Sequence, residues 1–259
     1  MFIPFFKSLF EFRLVFSQLV RQYVSLRYRR TALGFIWTLV NPLLTMAVTS
    51  VVFSLMMRFP LQGFAVFLFS GLIPWMLFSS CLLQGGNSLI ENEGLIKKIY
   101  VPKQTLVTAR CTSLLIDAML SFVALFVIAL AIGAHFSSAL LVLPLAFLLT
   151  FVFSCGLALI TSVASVFLRD TQQILAILMQ AGYYLTPIIY PISIVPERFH
   201  WLFHLNPMHY FVQLFRYPIY EGVFPPMQTF AITIMLTMAS ALVGLFVFTR
   251  YDKEVIFRL

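Results

Sequence analysis

Six long apolar runs constrain the fold of this chain more than any other feature of its sequence. Each is long enough to cross a hydrocarbon core of about 30 Å as a helix. Helices are required because a segment in lipid must satisfy its own backbone hydrogen bonds. The sequence therefore predicts an all-α membrane protein with six transmembrane helices. The runs cover residues 33–57, 63–83, 112–134, 139–168, 174–190 and 227–248.

The balance of residue types excludes a soluble domain. Of the 259 residues, 61% are apolar and 10% are charged, whereas soluble domains carry about 25% charged residues. No change of composition marks a linker, so we expect one membrane domain over residues 1–259. Within it, residues 1–30 would form an interface helix and residues 31–259 the bundle of spans. The net charge of +8 does not indicate a nucleic-acid site, because the basic residues lie at the ends of apolar runs.

The N-terminal segment, residues 4–28, alternates apolar and polar side chains at helical spacing. This pattern predicts an amphipathic helix that lies in the membrane interface, either as a plain anchor or with a further role. One face is apolar and contains Leu9, Phe12, Phe16, Leu19, Val20 and Tyr23. The opposite face is polar and contains Lys7, Glu11, Gln18, Arg21, Gln22 and Ser25.

The distribution of lysine and arginine predicts the orientation of the chain. With six spans, three of the 17 basic residues, Arg58, Arg198 and Arg216, fall on one side of the membrane. All the others fall on the side that carries both termini. Because cytoplasmic loops carry the excess of basic residues, we expect both termini to be cytoplasmic.

Two connections are long enough to hold structure of their own. Residues 84–103 contain glycines, two acids, adjacent lysines and a proline. We therefore expect glycine breaks and a short helix along the cytoplasmic surface. Residues 191–226 are too apolar for a solvated loop, and their aromatic rings favour the membrane interface. This last external loop is expected to hold short re-entrant helices.

Asp117 is the only acidic residue inside a predicted span. A buried charge in lipid is a functional candidate, and Arg110 lies two helical turns earlier on the same face. The two residues suit a proton relay, but we favour a structural role for Asp117 in helix packing.

The sequence contains no catalytic constellation. It lacks a phosphate loop of the GxxxxGK[ST] type, so we expect no ATP site and no cofactor in this chain. His200 and His204 have the i, i+4 spacing of metal ligands, but no HExxH arrangement accompanies them. We therefore expect interfacial histidines and no metal site. The three cysteines lie in or beside apolar runs, which indicates packing.

A cationic and aromatic cluster precedes the first span. Arginines at a membrane boundary suit a phosphate or diphosphate head group, which they bind through bidentate hydrogen bonds. A positive-inside anchor with an aromatic belt also explains the arginines, but it explains less well why Gly34 and Pro42 interrupt the helix. The cluster contains Arg27, Tyr28, Arg29, Arg30, Leu33, Gly34, Phe35 and Trp37.

These segments resemble the ABC-2 type membrane subunits of polysaccharide-export ABC transporters, which export lipid-linked O-antigen, capsule or wall teichoic acid chains. The resemblance covers essentially the whole chain. Its motifs are RYRRTALGFIWTLVNPLL at 27–44, SGLIPWMLFSS at 70–80, ENEGLIKKIYVPKQ at 91–104, FLRDTQQIL at 167–175, and YLTPIIYPISIVPERF with LNPMHYFVQLFR in the external loop.

The resemblance implies a homodimer that encloses a channel in a bacterial cytoplasmic membrane, with two ATPase subunits that bind ATP and Mg. The implied cargo is a polyprenyl-diphosphate-linked polysaccharide. Three sets of site residues follow from the resemblance. The head group and cytoplasmic gate would involve Tyr28, Arg29, Arg30, Gly34 and Trp37. The helix that couples to the ATPase would present Glu91, Glu93, Lys97, Lys98 and Tyr100. The external gate would involve Tyr190, Trp201, Phe203, Tyr210 and Phe211.

Other functions remain open from the sequence. The cargo of such an exporter could be O-antigen, teichoic acid, capsule or a small hydrophobic molecule. A rival from another class is an ion-coupled secondary carrier centred on Asp117. An intramembrane enzyme is disfavoured because the spans lack a second acid or a catalytic cluster.

Overall fold

The computed structural model describes residues 2–28, 34–57, 61–131 and 137–259, and the regular structure in these ranges is helical throughout. Twelve α-helices are described, some of them joined by short 3₁₀ or π turns. They are α1 (Phe2–Glu11), α2 (Arg13–Tyr28), α3 (Trp37–Met57), α4 (Leu61–Ser80), α5 (Gly86–Glu91), α6 (Glu93–Lys98), α7 (Lys103–Ala131), α8 (Leu143–Phe167), α9 (Thr171–Leu185), α10 (His200–Leu205), α11 (Pro207–Arg216) and α12 (Met227–Arg258).

Four helical stretches in the described ranges are long and apolar enough to cross a membrane. They are Gly63–Lys98, Lys103–Val123, Ser138–Phe167 and Met227–Arg258. The chain is therefore a multi-pass membrane protein. Leu43–Leu55 of α3 is a shorter apolar helix, and α9 has 15 residues, or roughly 22 Å of helix. The predicted count of six spans stays a prediction.

The second spanning helix is longer than the sequence pattern indicates. A π turn at Cys81–Gly85 joins α4 to α5 without a break, so helix continues to Glu91. The prediction that glycines break the helix was therefore wrong at Gly85 and Gly86. A Cβ on Gly85 would lie 2.9 Å from Cys111 Sγ, and one on Gly86 would lie 2.6 Å from Thr161 Oγ1. These glycines allow close packing against α7 and α8.

The centre of the bundle is the crossing of α8 and α12, the most extensive helix contact in the described structure. A Cβ on Gly156 would lie 2.6 Å from the Ser240 carbonyl oxygen, so the two backbones touch there. Ser240 Oγ donates to Phe153 O at 3.2 Å, and Thr237 Oγ1 donates to Leu149 O at 3.3 Å. Small residues and hydroxyl bonds of this kind hold helices together in lipid.

Residues 191–226, predicted to hold short re-entrant helices, do contain short helices, and their re-entrant placement stays a prediction. α10 and α11 follow two 3₁₀ turns, and α11 packs its apolar face against α4 and α8. Phe211 stacks on Phe153 with a centroid distance of 4.5 Å, and Phe153 stacks on Phe78 at 5.8 Å. This aromatic stack anchors α11 in the core.

The N-terminal segment forms two helices, α1 and α2, where the sequence predicted one. The joint at Phe12 is slight, because Phe12 N donates to Ser8 O and Phe16 N donates to Phe12 O, each at 2.9 Å. The alternation of buried and exposed side chains agrees with the predicted faces, and the placement in the membrane interface stays a prediction. Leu19 and Tyr23 are buried against the bundle, while the residues of the predicted polar face, Lys7, Glu11, Gln18, Arg21, Gln22 and Ser25, are exposed.

Candidate functional site

A polar cluster at one end of the bundle joins α2, α5 and α7. Its centre is Arg110, whose guanidinium carbon lies 4.8 Å from the ring centroid of Tyr23. Arg110 Nη2 also lies 3.8 Å from Glu91 Oε2. The cation is thus held between a carboxylate of the connection after the second spanning helix and an aromatic ring of the N-terminal segment. We call Tyr23, Glu91, Asn92 and Arg110 the coupling cluster.

Asn92 connects this cluster to the turn between α5 and α6. Its Nδ2 donates to Tyr23 Oη at 2.9 Å and to Ser88 O at 2.7 Å. Burial raises the pKa of the Tyr23 phenol, although the Asn92 hydrogen bond and the Arg110 charge oppose this. The phenol therefore stays protonated at neutral pH. Asn92 is the single residue between the two helices, so the joint between α5 and α6 is itself hydrogen-bonded to α2.

α6 lies on the surface, where Leu95 and Ile96 pack partly buried against the core and one ion pair forms within the helix. None of its side chains is buried. Glu93 Oε1 pairs with Lys97 Nζ at 2.5 Å, and Lys97 Nζ also donates to Leu259 O at 2.9 Å. The hydrogen bond from Lys97 is the main reason why the pKa of the Glu93 carboxyl lies below its ordinary value.

A second ion pair ties the start of α7 to the end of α12. Lys103 Nζ lies 2.8 Å from Asp252 Oδ1, and the lysine side chain is 8% exposed. Between α6 and α7 the chain is extended, and Tyr100 is 85% exposed. Its ring lies 6.1 Å from that of Phe12. Lys98 is also exposed. Of the predicted coupling residues, four are exposed and Glu93 is half-buried, and Tyr100 lies beside the N-terminal segment.

The predicted head-group site falls partly outside the described residues, because Arg29 and Arg30 belong to the range that the structure leaves out. Tyr28 is the last residue of α2, and Trp37, which is 40% exposed, begins α3. Gly34 has a φ of +52°. L side chains rarely adopt this left-handed backbone, which gives a reason for a glycine where the chain enters α3.

The five residues predicted for the external gate fall into two groups. Tyr190, Tyr210 and Trp201 reach the surface. Tyr190 Oη donates to Tyr184 O at 2.8 Å, Tyr210 Oη donates to His204 O at 3.3 Å, and Trp201 is 56% exposed. Phe203 is 6% and Phe211 is 0% exposed. Phe203 and Phe211 therefore pack inside the chain, and this placement favours a structural role for them.

The two intramembrane polar residues have different surroundings. Asp117 is buried on α7, at 8% exposure, and Ser113 and Ser121 are buried one turn away on either side. Arg110, by contrast, lies at the centre of the coupling cluster. The proposed relay between Arg110 and Asp117 stays untested. In the described ranges no group of three or more His, Cys, Asp and Glu residues could hold a metal ion.

Arg216 is a buried residue that the sequence analysis counted only as a loop charge. It is 7% exposed, and its guanidinium carbon lies 3.8 Å from the ring centroid of Phe67. Its Nη2 donates to Ile188 O at 3.4 Å. The helical register of α11 could have indicated this burial. Arg216 lies four residues after Val212 and eight after Met208, so it shares their face of the helix, and both of them are buried.

The spanning helices define the class of this protein, which is a multi-pass helical membrane protein. The model of the ABC-2 type transporter family matches residues 15–220. The chain therefore belongs to the ABC-2 type transporter family, and it is a membrane transport subunit. The resemblance seen in the sequence motifs is confirmed.

Relatives of this chain are polysaccharide-export proteins. It is 29% identical over 241 residues to the O-antigen export system permease protein RfbA of Myxococcus xanthus, covering 91% of this chain and 93% of the relative. A protein of the same name from Klebsiella pneumoniae is 28% identical, covering 71% and 72%. The polysialic acid transport protein KpsM of Escherichia coli is 26% identical, covering 90% and 92%.

Proposed function

We propose that this chain is the permease subunit of an ATP-driven exporter that carries a polyprenyl-diphosphate-linked polysaccharide, resembling O-antigen, across the bacterial cytoplasmic membrane. Two copies of the chain would enclose the channel, and two separate ATPase subunits would bind ATP and Mg. Membership of the ABC-2 type family supports the transporter class. The names of the relatives support a polysaccharide cargo.

In this proposal the chain crosses the membrane six times as one domain, with both termini in the cytoplasm. Residues 1–30 would lie in the interface, and residues 31–259 would form the bundle. α3 and α9 would complete the six spans, and α10 and α11 would dip into the outer leaflet. The bias of basic residues toward the terminal side supports this orientation.

The attachment of α6 is the single observation that carries the proposal. A helix with no buried side chain is available to a docked protein, yet Asn92 and Lys97 bond it to α2 and to the end of the chain. An ATPase that contacts α6 differently in its two nucleotide states would shift the balance between two arrangements of the bundle. The coupling cluster would carry that shift to α2 and α7.

The cargo would be held through its two chemical parts. Arg29 and Arg30 would bind the diphosphate through bidentate charge-assisted hydrogen bonds, next to Tyr28 and Trp37. Exposed aromatic rings would support the sliding sugar chain by stacking. On the outer side Trp201, Tyr190 and Tyr210 are the better candidates for this role, because Phe203 and Phe211 are buried.

Co-isolation tests the proposal. The chain would be purified from membranes together with bound proteins, and ATP hydrolysis would be measured with and without a polyprenyl-diphosphate glycan. We expect an ATPase subunit to co-purify and the glycan to raise its turnover. A chain that transports without an ATPase would contradict the proposal.

The same preparation distinguishes the proposed function from two alternatives. A teichoic acid, capsule or small hydrophobic cargo would replace the O-antigen-like glycan as the stimulating ligand. An ion-coupled carrier would instead depend on Asp117, the buried acid of α7. Asp117→Asn would then stop transport, whereas the exporter proposal expects this substitution to lower the amount of assembled protein more than the turnover of what assembles.

A further inference from the structure

An apolar groove of about 500 Å³ lies between the N-terminal helices and the bundle. We call it the interface groove. Its volume is in the range of small-ligand pockets, about 300–1,000 Å³. α1 and α2 contribute Phe5, Leu9 and Phe16 to one wall. The floor is formed by α8 and α12, through Phe151, Cys155, Gly156, Leu159, Ala241 and Leu245.

A ligand in the groove would contact mainly hydrocarbon groups. Thr108 and Thr112 line it, but their hydroxyls bond within α7. Thr108 Oγ1 donates to Gln104 O at 2.7 Å, and Thr112 Oγ1 donates to Thr108 O at 2.8 Å. A ligand that enters therefore meets no hydroxyl that needs a partner. An alkyl chain suits such a lining better than a polar molecule does.

Arg13 is the one charged residue in the described lining of the groove. Its guanidinium carbon lies 5.1 Å from the ring centroid of Phe10, and among the described residues no carboxylate pairs with it. The neighbouring Phe10 and Leu14 are 69% and 78% exposed. A free cation beside an alkyl-lined slot is complementary to a lipid with an anionic head group.

We propose that the interface groove binds one acyl chain of an anionic phospholipid, with the lipid phosphate at Arg13. The lipid fills the space under α1, which Gln104 and Ser8 fasten through a 2.5 Å hydrogen bond and Phe5 fastens through an edge contact with Phe248 at 6.5 Å. It thereby holds the N-terminal helices against α7, the helix that carries Arg110. This inference does not depend on the identity of the exported cargo.

The distance between Arg13 and the predicted head-group site favours a phospholipid phosphate at Arg13 over the cargo diphosphate. α2 runs from Arg13 to Tyr28, so its two ends are about 22 Å apart. A cargo diphosphate beside Tyr28, at the end of α2, would therefore lie about that far from Arg13. A phosphate at Arg13 belongs to a different molecule.

Native mass spectrometry of the full chain in detergent tests the inference. Phosphatidylglycerol, phosphatidylcholine and a polyprenyl phosphate would each be added as probes. We expect one phosphatidylglycerol per chain to be retained. Cys155→Phe fills the groove from its floor and should lower that retention about tenfold. The matched control is Val243→Phe, on a part of α12 that is 51% exposed and does not line the groove. It should retain the lipid.

The head-group contact is tested separately. Arg13→Gln should lower the retention of phosphatidylglycerol about fivefold, while Arg21→Gln, on the exposed face of α2, should not. Equal retention by the wild type and Arg13→Gln would overturn the inference even if Cys155→Phe fails to fold. Preferential retention of phosphatidylcholine or the polyprenyl phosphate would overturn it too, as would a wild-type chain that retains no lipid. None of these results would affect a measured stimulation of an ATPase by glycan.

Discussion

At the scale of single residues, Arg216 connects three parts of the molecule. Its guanidinium lies over Phe67 of α4, and its Nη2 donates to Ile188 O in the segment after α9. A Cβ on Gly71 would lie 3.0 Å from the same nitrogen. The arginine therefore fills the space that the glycine leaves, and it fixes α11 against α4.

A double-mutant cycle measures this contact. Because a buried cation–π pair contributes up to about 2 kcal/mol, Arg216→Met and Phe67→Leu should show a coupling energy of roughly 1–2 kcal/mol in thermal unfolding of the purified chain. The control pair is Arg198 and Phe199, which are 4.7 Å apart and exposed. Its coupling energy should be near zero. Equal coupling in both pairs would contradict the role of Arg216.

The Glu93–Lys97 pair predicts a pH dependence. Since the pKa of Glu93 is lowered in the folded chain, the pair, which lies within α6, contributes to the stability of this helix above the ordinary pKa of a glutamate. This contribution is lost as the pH falls through the lowered pKa. Lys97→Met should raise the pKa of Glu93 toward its ordinary value, as measured by carbon NMR of labelled glutamate. An unchanged titration would show that Lys97 does not perturb this carboxyl.

At the scale of helices, the contact between α8 and α12 depends on the absence of side chains. Gly156→Ala would place its Cβ 2.6 Å from the Ser240 carbonyl oxygen. Since packed backbones cannot move apart locally, we expect a loss of roughly 1–3 kcal/mol, the usual cost of overpacking. Thermal unfolding of the purified chain would measure it.

The control for this substitution is Gly63→Ala in α4, where a Cβ would meet no atom within 4 Å. A helical alanine costs less backbone entropy than glycine, so this variant should unfold at the same or a higher temperature. If Gly156→Ala were as stable as Gly63→Ala, the two helices would not be in backbone contact.

The limits of prediction from sequence are visible in particular elements. Periodicity correctly predicted the buried face of α2, and the apolar, aromatic composition of residues 191–226 correctly predicted short helices there, because both depend on the local sequence. It failed at Gly85 and Gly86, since a glycine that breaks a helix and one that admits a neighbour look alike in sequence. It also could not pair Arg110 with Tyr23, which lies 87 positions away and meets it only through tertiary packing.

The coupling role of residues 91–100 stays a prediction, and the structure adds that the side chains predicted for it are exposed or half-buried. The burial of Phe203 and Phe211 could not be foreseen, because an aromatic residue suits both a gate and a core.

At the scale of the whole molecule, six spans make a testable claim about α9. If α9 crosses the membrane, Glu197 lies outside the cell, whereas Glu93 lies inside. Glu197→Cys should react with a membrane-impermeant maleimide on intact cells, and Glu93→Cys should react only after permeabilisation. Both positions are solvent-accessible enough to label, since Glu197 is exposed and Glu93 is half-buried. Labelling of Glu197→Cys only after permeabilisation would leave α9 on one side of the membrane.

The central claim is that ATP hydrolysis in a partner drives this chain through α6. Export of the surface glycan is therefore the measurement to make, in cells that carry Glu91→Gln together with Glu93→Gln, alongside the amount of inserted protein. We expect export to stop while insertion and assembly persist, and the exposed pair Glu197→Gln with Glu254→Gln to export normally. Normal export by the Glu91 and Glu93 double variant would contradict the account.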